Sequence, residues 1–343
     1  MSYYFGTQIR ESDYMKLQNL LKAVLISLIS VTGVLSTAAH AGSYTKGQYT
    51  GLSGSRNFKF YMPENPTNKK IGLVVMLHGC QQTADEFATS SKILIAAEKY
   101  NFAVLLPEQA ISNNSYKCWN WILPAYNSRL GESEIIMGMV DQVIKNHNLD
   151  SNKVYAAGMS AGASMAGILG NCYPERFKAI ASHDGVQYYP TAIVIDYVSV
   201  VLNGADIPAE QAGATGYAQA ALFNPPKQMP VIIFQGMASP YMNPLHANQV
   251  EDEFKVLNDY LDDGLRDLSA FKSKNIETVP DSETYGYTKY SLTDKSGNVY
   301  IERYMINRLS HAWSGGDGKY QYNDPNGPDA TTIFVKFFKR FGL

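Results

Sequence analysis

The sequence predicts an α/β protein built on one doubly wound, mostly parallel sheet, and three observations carry the prediction. Residues 73–77, 102–106 and 231–234 are apolar without a break, as strands covered on both faces are. Helical signals lie between such runs. Thr83-x-x-Glu86 is a capping box, and Ile135, Met139 and Val143 form a stripe beside Ile136, Val140 and Ile144. Third, Gly158-Met159-Ser160-Ala161-Gly162 stands between a strand-like run, 153–157, and the small-residue helical segment 163–169. Strands alternating with helices pack as a sheet with helices on both faces.

In order, residues 57–62 alternate as an early strand, and 73–77 is a central one. The capping box opens a helix to about Tyr100, and 102–106 is the next strand. An insertion rich in Asn, Ser and aromatics follows at 108–130, before the striped helix. After the Gly-x-Ser-x-Gly turn and its helix, 177–182 reads as a strand. Residues 186–229 hold many Ala, Gly and Pro and read as a lid-like excursion over the top edge of the sheet. Residues 231–234 return to it, and a helix runs from about His246 to Leu261. A hairpin turns at 295–298, with 299–305 as its second arm. Ile333, Phe334, Phe337, Phe338 and Phe341 put a final helix against the core. No repeat or low-complexity linker appears, and the expectation is that no appended binding module follows the last helix.

The 343 residues suffice for one large α/β domain or two small ones, and the 45% hydrophobic content for a sizeable core. The net charge of −2 and the lack of any basic run argue against a nucleic-acid partner, and none is expected. Lys16 and Lys22 precede or open an apolar stretch at 23–35, and Ala39-His40-Ala41 fits a small-x-small cleavage site. Residues 1–41 are therefore expected to be a signal peptide and 42–343 the mature domain, secreted or periplasmic. Glu11 and Asp13 make Met15 an alternative start. Interruptions by Ser27, Ser30 and Gly33 disfavour a spanning helix, so no stable membrane insertion is expected after cleavage. Export permits disulfides. Cys80, Cys118 and Cys172 allow one pair and one free thiol, and spacing leaves the pair open.

Strand, Gly-x-Ser-x-Gly, helix is the context that projects a nucleophilic serine. Only glycine fits beside Ser160 in so tight a turn, and the helix N-terminus favours developing negative charge. A serine also needs a base and donors for an oxyanion. His78-Gly79-Cys80-Gln81 ends the strand at 73–77, and the backbone N–H groups of Cys80 and Ala161 are the expected oxyanion donors. His78 is expected to brace that loop. His311, late in the chain, is the expected base, whereas His147 and His246 fall in helical sequence and are expected at the surface. Trp119, Trp121, Trp313 and Tyr241 fall on loops above the sheet and suit an apolar acyl cleft, ordinary loop packing being the competing reading. No cluster has metal-ligand spacing and no Gly-rich phosphate loop is present, so no metal or cofactor is expected.

The stretches 77–82, Cys118-Trp119-Asn120-Trp121, 158–162, 311–317 and 322–331 together resemble the polyhydroxybutyrate depolymerase-like esterases, secreted α/β-hydrolases acting on aliphatic esters. The resemblance implies the α/β-hydrolase fold, Ser160 as nucleophile and His311 as base. It also implies a Cys80–Cys118 bridge, with Cys172 free in the helix after the serine. The chain departs from the family at the acid. In place of His-Gly-x-x-Asp it reads Gln235-Gly236-Met237-Ala238-Ser239. Asp184, at the end of the neighbouring strand, keeps the nucleophile–acid–base order and is the candidate replacement. A turn cap with Gly185 is its competing role, and Asp317, Asp206 or a carboxylate-free Ser–His pair are the other solutions. The expected activity is serine esterase hydrolysis of short-chain acyl esters or hydroxyalkanoate oligomers through an acyl-enzyme, the partner being a small ester or oligoester. A carbohydrate-ester (acetyl or feruloyl) esterase and a secreted binding protein of weakened catalysis are the alternatives.

Overall fold

The structure, a computed structural model, describes residues 42–64, 69–192, 197–223 and 227–343. The signal segment expected at 1–41 lies outside the described residues. Ten strands form the main sheet: β1 (Ser43–Gly51), β2 (Gly54–Met62), β3 (Leu73–Leu77), β4 (Ala103–Pro107), β5 (Val154–Met159), β6 (Ile180–His183), β7 (Val231–Gly236), β8 (Phe271–Val279), β9 (Tyr287–Asp294) and β10 (Val299–Ile306). Their spatial order is β1-β2-β4-β3-β5-β6-β7-β10-β9-β8. The centre, from β4 to β10, is parallel throughout. The flanks, β1-β2 and β9-β8, are antiparallel. The fold is of the α/β-hydrolase type.

Every residue of β3 is buried. Leu73, Val75 and Leu77 enter one core and Val74 and Met76 the other, because successive side chains leave a strand on opposite faces. The first core is filled from α3 (Glu132–His147), α4 (Ala161–Cys172) and α7 (Leu245–Asp263). Ile135 and Met139, Met165 and Ile168, and Val250 and Phe254 are their contributions. The second core is filled from α1 (Ala84–Ser90), α2 (Ile93–Tyr100) and α8 (Ala330–Arg340), through Phe87, Ile93, Phe334, Phe337 and Phe338. The chain turns from β4 on one side of β3 to β5 on the other. That switch point opens a crevice at the carboxyl ends of β3 and β5, where ligands of such sheets bind.

Several details differ from the sequence reading, and β1 is one of them, since the first strand expected was 57–62. The helix expected from Thr83 to Tyr100 starts at the capping box but breaks at Lys92, which is left-handed at φ 61°. Tertiary bonds hold the break: the Lys92 ammonium donates to Gly315 O (2.8 Å) and the Thr331 hydroxyl to Ser91 O (2.5 Å). The outer strand β8 escaped notice because its residues are mostly exposed and show no apolar alternation. Its Lys272, Lys274 and Glu277 suit a sheet edge. His246, expected at the surface, is fully buried; its Nε2 donates to Val200 O (3.0 Å) and burial lowers its pKa. The excursion at 186–229 contains α5 (Tyr197–Asn203) and α6 (Ala209–Ala221). Of these, α6 is a packed helix: a Cβ on Gly213 would stand 2.5 Å from Glu253 O, and one on Gly216 2.0 Å from Asn171 Oδ1. Only α5 reaches the crevice.

Beneath it, Glu253 on α7 is buried completely and accepts from Asn171 Nδ2 (2.6 Å) and Tyr188 N–H (2.8 Å). Burial outweighs those two bonds and pushes its carboxyl up to about 8.

Candidate active site

Ser160 ends β5 with φ 55° and ψ −122°, a conformation that costs an L-residue about 1–3 kcal/mol. Its neighbours compel the turn. A Cβ on Gly158 would stand 2.3 Å from Gly162 O, and one on Gly162 2.1 Å from Leu77 O. The Ser160 N–H donates to His183 O (2.9 Å), and its side chain makes no capping bond to α4. The hydroxyl that would ordinarily cap the helix is left for the cavity above it.

The loop after β3 adjoins the serine, since a Cβ on Gly79 would lie 3.5 Å from Ser160 Cβ. His78 braces it as expected: Nδ1 donates to Gly79 O (2.7 Å) and Nε2 accepts from Gln109 N–H (3.1 Å). That pattern requires a neutral ring, and burial lowers its pKa to about 4. Within the loop, Gly79 N–H donates to Gln82 Oε1 (2.8 Å) and Gln81 N–H to Tyr116 O (2.7 Å). Gln82 N–H returns to Gly79 O (3.4 Å). The Cys80 N–H has no partner among the described residues. Ala161 N–H is the first amide of α4 and has no partner within the helix. A disulfide joins Cys80 to Cys118 and ties the loop to the 108–130 insertion, while Cys172 is free and buried in α4.

His311 follows β10, and its Nδ1 stands 3.2 Å from Asp184 Oδ2. The two atoms are close but out of line, and neither has a hydrogen-bond partner. Asp184 is fully buried, left-handed at φ 51°, and its Oδ1 accepts from Gly236 N–H (2.8 Å). The carboxylate therefore reaches across to β7 rather than closing a local turn with Gly185. Parallel pairing sets His183 beside Phe234, and Asp184 N–H donates to Phe234 O (2.8 Å). Asp184 is thus held against the end of β7, the strand that Ser239 follows. At the usual acid position, Ser239 Oγ accepts from Met242 N–H (3.0 Å), and Gln235 Nε2 donates to Gly236 O (3.1 Å). Asp317 Oδ1 accepts from Lys319 N–H (3.1 Å), and Asp206 N–H donates to Pro190 O (2.9 Å).

Ser160, His311 and Cys80 line one cavity of about 380 Å³ with Tyr197, Val201, Leu202, Tyr241 and Tyr322. Tyr241 is there as expected, but Trp119, Trp121 and Trp313 are not. All three are buried in the protein interior at 1%, 3% and 1% exposure. Trp119 packs beside His78, Trp121 behind Tyr197, and Trp313 stacks on His183 with Nε1 donating to Thr331 Oγ1 (3.1 Å). Rings this large gain more from burial under the loops than from a wet cleft. The reading missed Tyr197, Tyr322 and His183. Tyr322 flanks His311 edge-on and donates to Gln81 Oε1 (3.2 Å). It opens the segment 322–331 that carried part of the resemblance; Tyr197 sits in a stretch without periodic pattern. Among the described residues no acidic, His or Cys cluster could hold a metal, and no helix is long and apolar enough to cross a membrane.

The buried groups set the pH dependence of stability. His78 and His183 both titrate near 4 in the folded protein, burial being the main cause. Their folded pKa values lie below the unfolded 6.5. Each therefore contributes stability that is full above pH 6.5 and is lost as pH falls through 4, on the order of 3 kcal/mol apiece. Glu253 has the opposite sign: raised from 4.5 to about 8, its contribution is full below pH 4.5 and is lost as pH rises through 8. Between 4.5 and 6.5 the two histidines outweigh the one carboxyl. The melting temperature is expected to peak near pH 6.5 and fall on both sides. In thermal scans from pH 4 to 9, Glu253→Gln should abolish the alkaline fall. An undiminished alkaline fall in that variant would refute the assignment.

A family profile described as "Esterase PHB depolymerase" matches residues 56–272, more than half of the chain, ending before His311. Poly(3-hydroxyalkanoate) depolymerase C of Paucimonas lemoignei is 27% identical over 84% of this chain and 66% of its own. Probable acetylxylan esterase A of Aspergillus fumigatus is 35% identical over 37% of this chain and 33% of its own. The chain thus spans about two thirds of the first relative's length and one third of the second's. Among solved structures, an acetyl xylan esterase from Aspergillus awamori superposes with a TM-score of 0.64 at 21% identity. It covers 87% of this chain and 100% of its own, a likeness of fold. With the profile spanning β2 through β7 and the loops that bear Ser160 and Asp184, the protein belongs to the esterase PHB depolymerase family.

Proposed function

We propose that this protein is a serine esterase that hydrolyses short-chain acyl esters or hydroxyalkanoate oligomers. The observation that carries the reading is the 3.2 Å approach of Asp184 Oδ2 to His311 Nδ1, with His311 and Ser160 lining one cavity. His311 Nε2 takes the proton of Ser160 Oγ as that oxygen attacks the ester carbonyl. The N–H groups of Cys80 and Ala161 hold the oxyanion. Collapse breaks the C–O bond, His311 returns the proton to the departing alcohol, and an acyl-serine remains. Water, deprotonated by His311, then releases the acid and restores Ser160. Asp184 keeps the His311 proton on Nδ1 and offsets the positive charge of the imidazolium.

The apolar lining from Tyr197, Val201 and Leu202 suits a small acyl chain. A second reading, a carbohydrate-ester esterase for acetyl or feruloyl groups, is favoured by the tyrosines at the cavity, Tyr197, Tyr241 and Tyr322. Their faces and hydroxyls suit a sugar, and the acetylxylan esterase among the relatives points the same way. The Cys80–Cys118 bridge supports a secreted or periplasmic location.

A fluorophosphonate probe is expected to add one adduct, on the peptide containing Ser160. Rates on p-nitrophenyl butyrate, hydroxybutyrate oligomers and acetylated xylan then choose between the substrates. Folded protein that takes no label would instead support the binding-protein reading.

A further inference from the structure

His183 is buried at 1% exposure, its ring stacked between Trp313 (5.1 Å) and Phe234 (5.6 Å). Its Nε2 accepts from Ser314 N–H at 3.1 Å. An imidazole nitrogen that accepts cannot carry the proton, so in the neutral ring the proton is on Nδ1. That N–H is buried without a hydrogen-bond partner, and it stands 3.8 Å from Asp184 Oδ2. The same oxygen is approached from the other side by His311 Nδ1 at 3.2 Å. One carboxylate oxygen thus faces the Nδ1 atoms of two imidazoles, while Gly236 N–H occupies the other oxygen. Ser314 belongs to the loop that carries His311. A single ring therefore bonds the loop of the base through Nε2 and faces the carboxylate through Nδ1, 3.8 Å from Oδ2.

We propose that His183 is the positioning residue of the Asp184–His311 pair, fixing the His311 loop through Ser314 and supplying the second side-chain donor to Asp184 Oδ2. A buried carboxylate without its donors becomes protonated or swings away. Asp184 is fully buried, and its one backbone donor is Gly236 N–H. When His311 becomes an imidazolium, Oδ2 engages it. When His311 returns to neutrality, the His183 N–H keeps the anion in place. The stack holds His183 where it can do this, and burial keeps its ring neutral, its pKa lowered to about 4. The other titratable group that senses Asp184 is His246 of α7, whose Nε2 is committed to Val200 O.

The inference rests on the serine esterase reading. Wild-type protein with neither label at Ser160 nor turnover fails that reading, whereas active wild type beside an unimpaired His183 variant fails this inference alone. His183→Phe keeps an aromatic ring in the stack and removes the donor. It is expected to lower kcat on the order of 10- to 100-fold with KM nearly unchanged. The acid limb of its kcat/KM profile should move up by roughly one pH unit. His183→Asn restores an amide N–H near the Nδ1 position and is expected to recover most of kcat and the original limb. Wild-type activity and an unshifted limb in folded His183→Phe would overturn the proposal. So would equal losses in both variants with unshifted limbs, which mark a packing role only. If neither variant folds, histidine-selective ¹⁵N NMR of the wild-type protein decides: a proton on Nδ1 of His183 from pH 5 to 7 upholds the proposal, and one on Nε2 overturns it.

Discussion

Asp184→Asn is expected to lower kcat for p-nitrophenyl butyrate by about 10⁴-fold, the loss that the equivalent change produces in a serine protease. The variant should fold, because asparagine tolerates the left-handed backbone of this position and its Oδ1 can still accept from Gly236 N–H. Its Nδ2 would then face His311 Nδ1. Two donors cannot share that contact, so the His311 proton would move to Nε2, the nitrogen that must receive the serine proton. Asp317→Asn and Asp206→Asn should stay within about twofold of wild type, since surface changes away from the reacting groups have small effects. Turnover by folded Asp184→Asn near the wild-type rate would refute the assignment and return the acid to one of those residues or to a carboxylate-free pair.

Ser160→Ala carries the larger expected effect, a fall of about 10⁶-fold in kcat, as for removal of a serine nucleophile in a protease. The covalent route is gone, and the Cys80 and Ala161 amides with an idle His311 supply only residual catalysis. Alanine accepts the same backbone strain as serine, so melting temperature should change little, and the fluorophosphonate adduct should vanish. Hydrolysis or labelling that persists in this variant would show that another nucleophile acts.

The contrast between the two residues is one of range. Ser160 was legible because its whole signal lies in one continuous stretch, 153–169: buried strand, glycines two residues to either side, small-residue helix. Asp184 was legible only as a candidate among several, because Asp-Gly is equally a turn. Its choice of partner depends on β6 lying beside β7 and on a loop more than a hundred residues later. The tryptophans are the converse case. Their loop positions were readable, but which way a loop side chain turns is decided by what packs beneath it: His78 under Trp119, Tyr197 against Trp121, and His183 with Phe87 around Trp313. His246 was misjudged for the same reason, since the carbonyls of α5 that receive its N–H are some 45 positions away.

By itself, the sequence determined the alternation of strand and helix, the capping box at Thr83, the aromatic face of the last helix and the strained turn at Ser160. Each of these follows from interactions between residues a few positions apart, where sterics and periodicity act locally. The tertiary structure alone decided that Asp184 meets His311, that His183 stands behind them, that three tyrosines rather than three tryptophans line the cavity, and that the first long helix breaks at Lys92. These are contacts between segments brought together by sheet order, and their energies come from burial and from polar groups that must find partners once water is excluded.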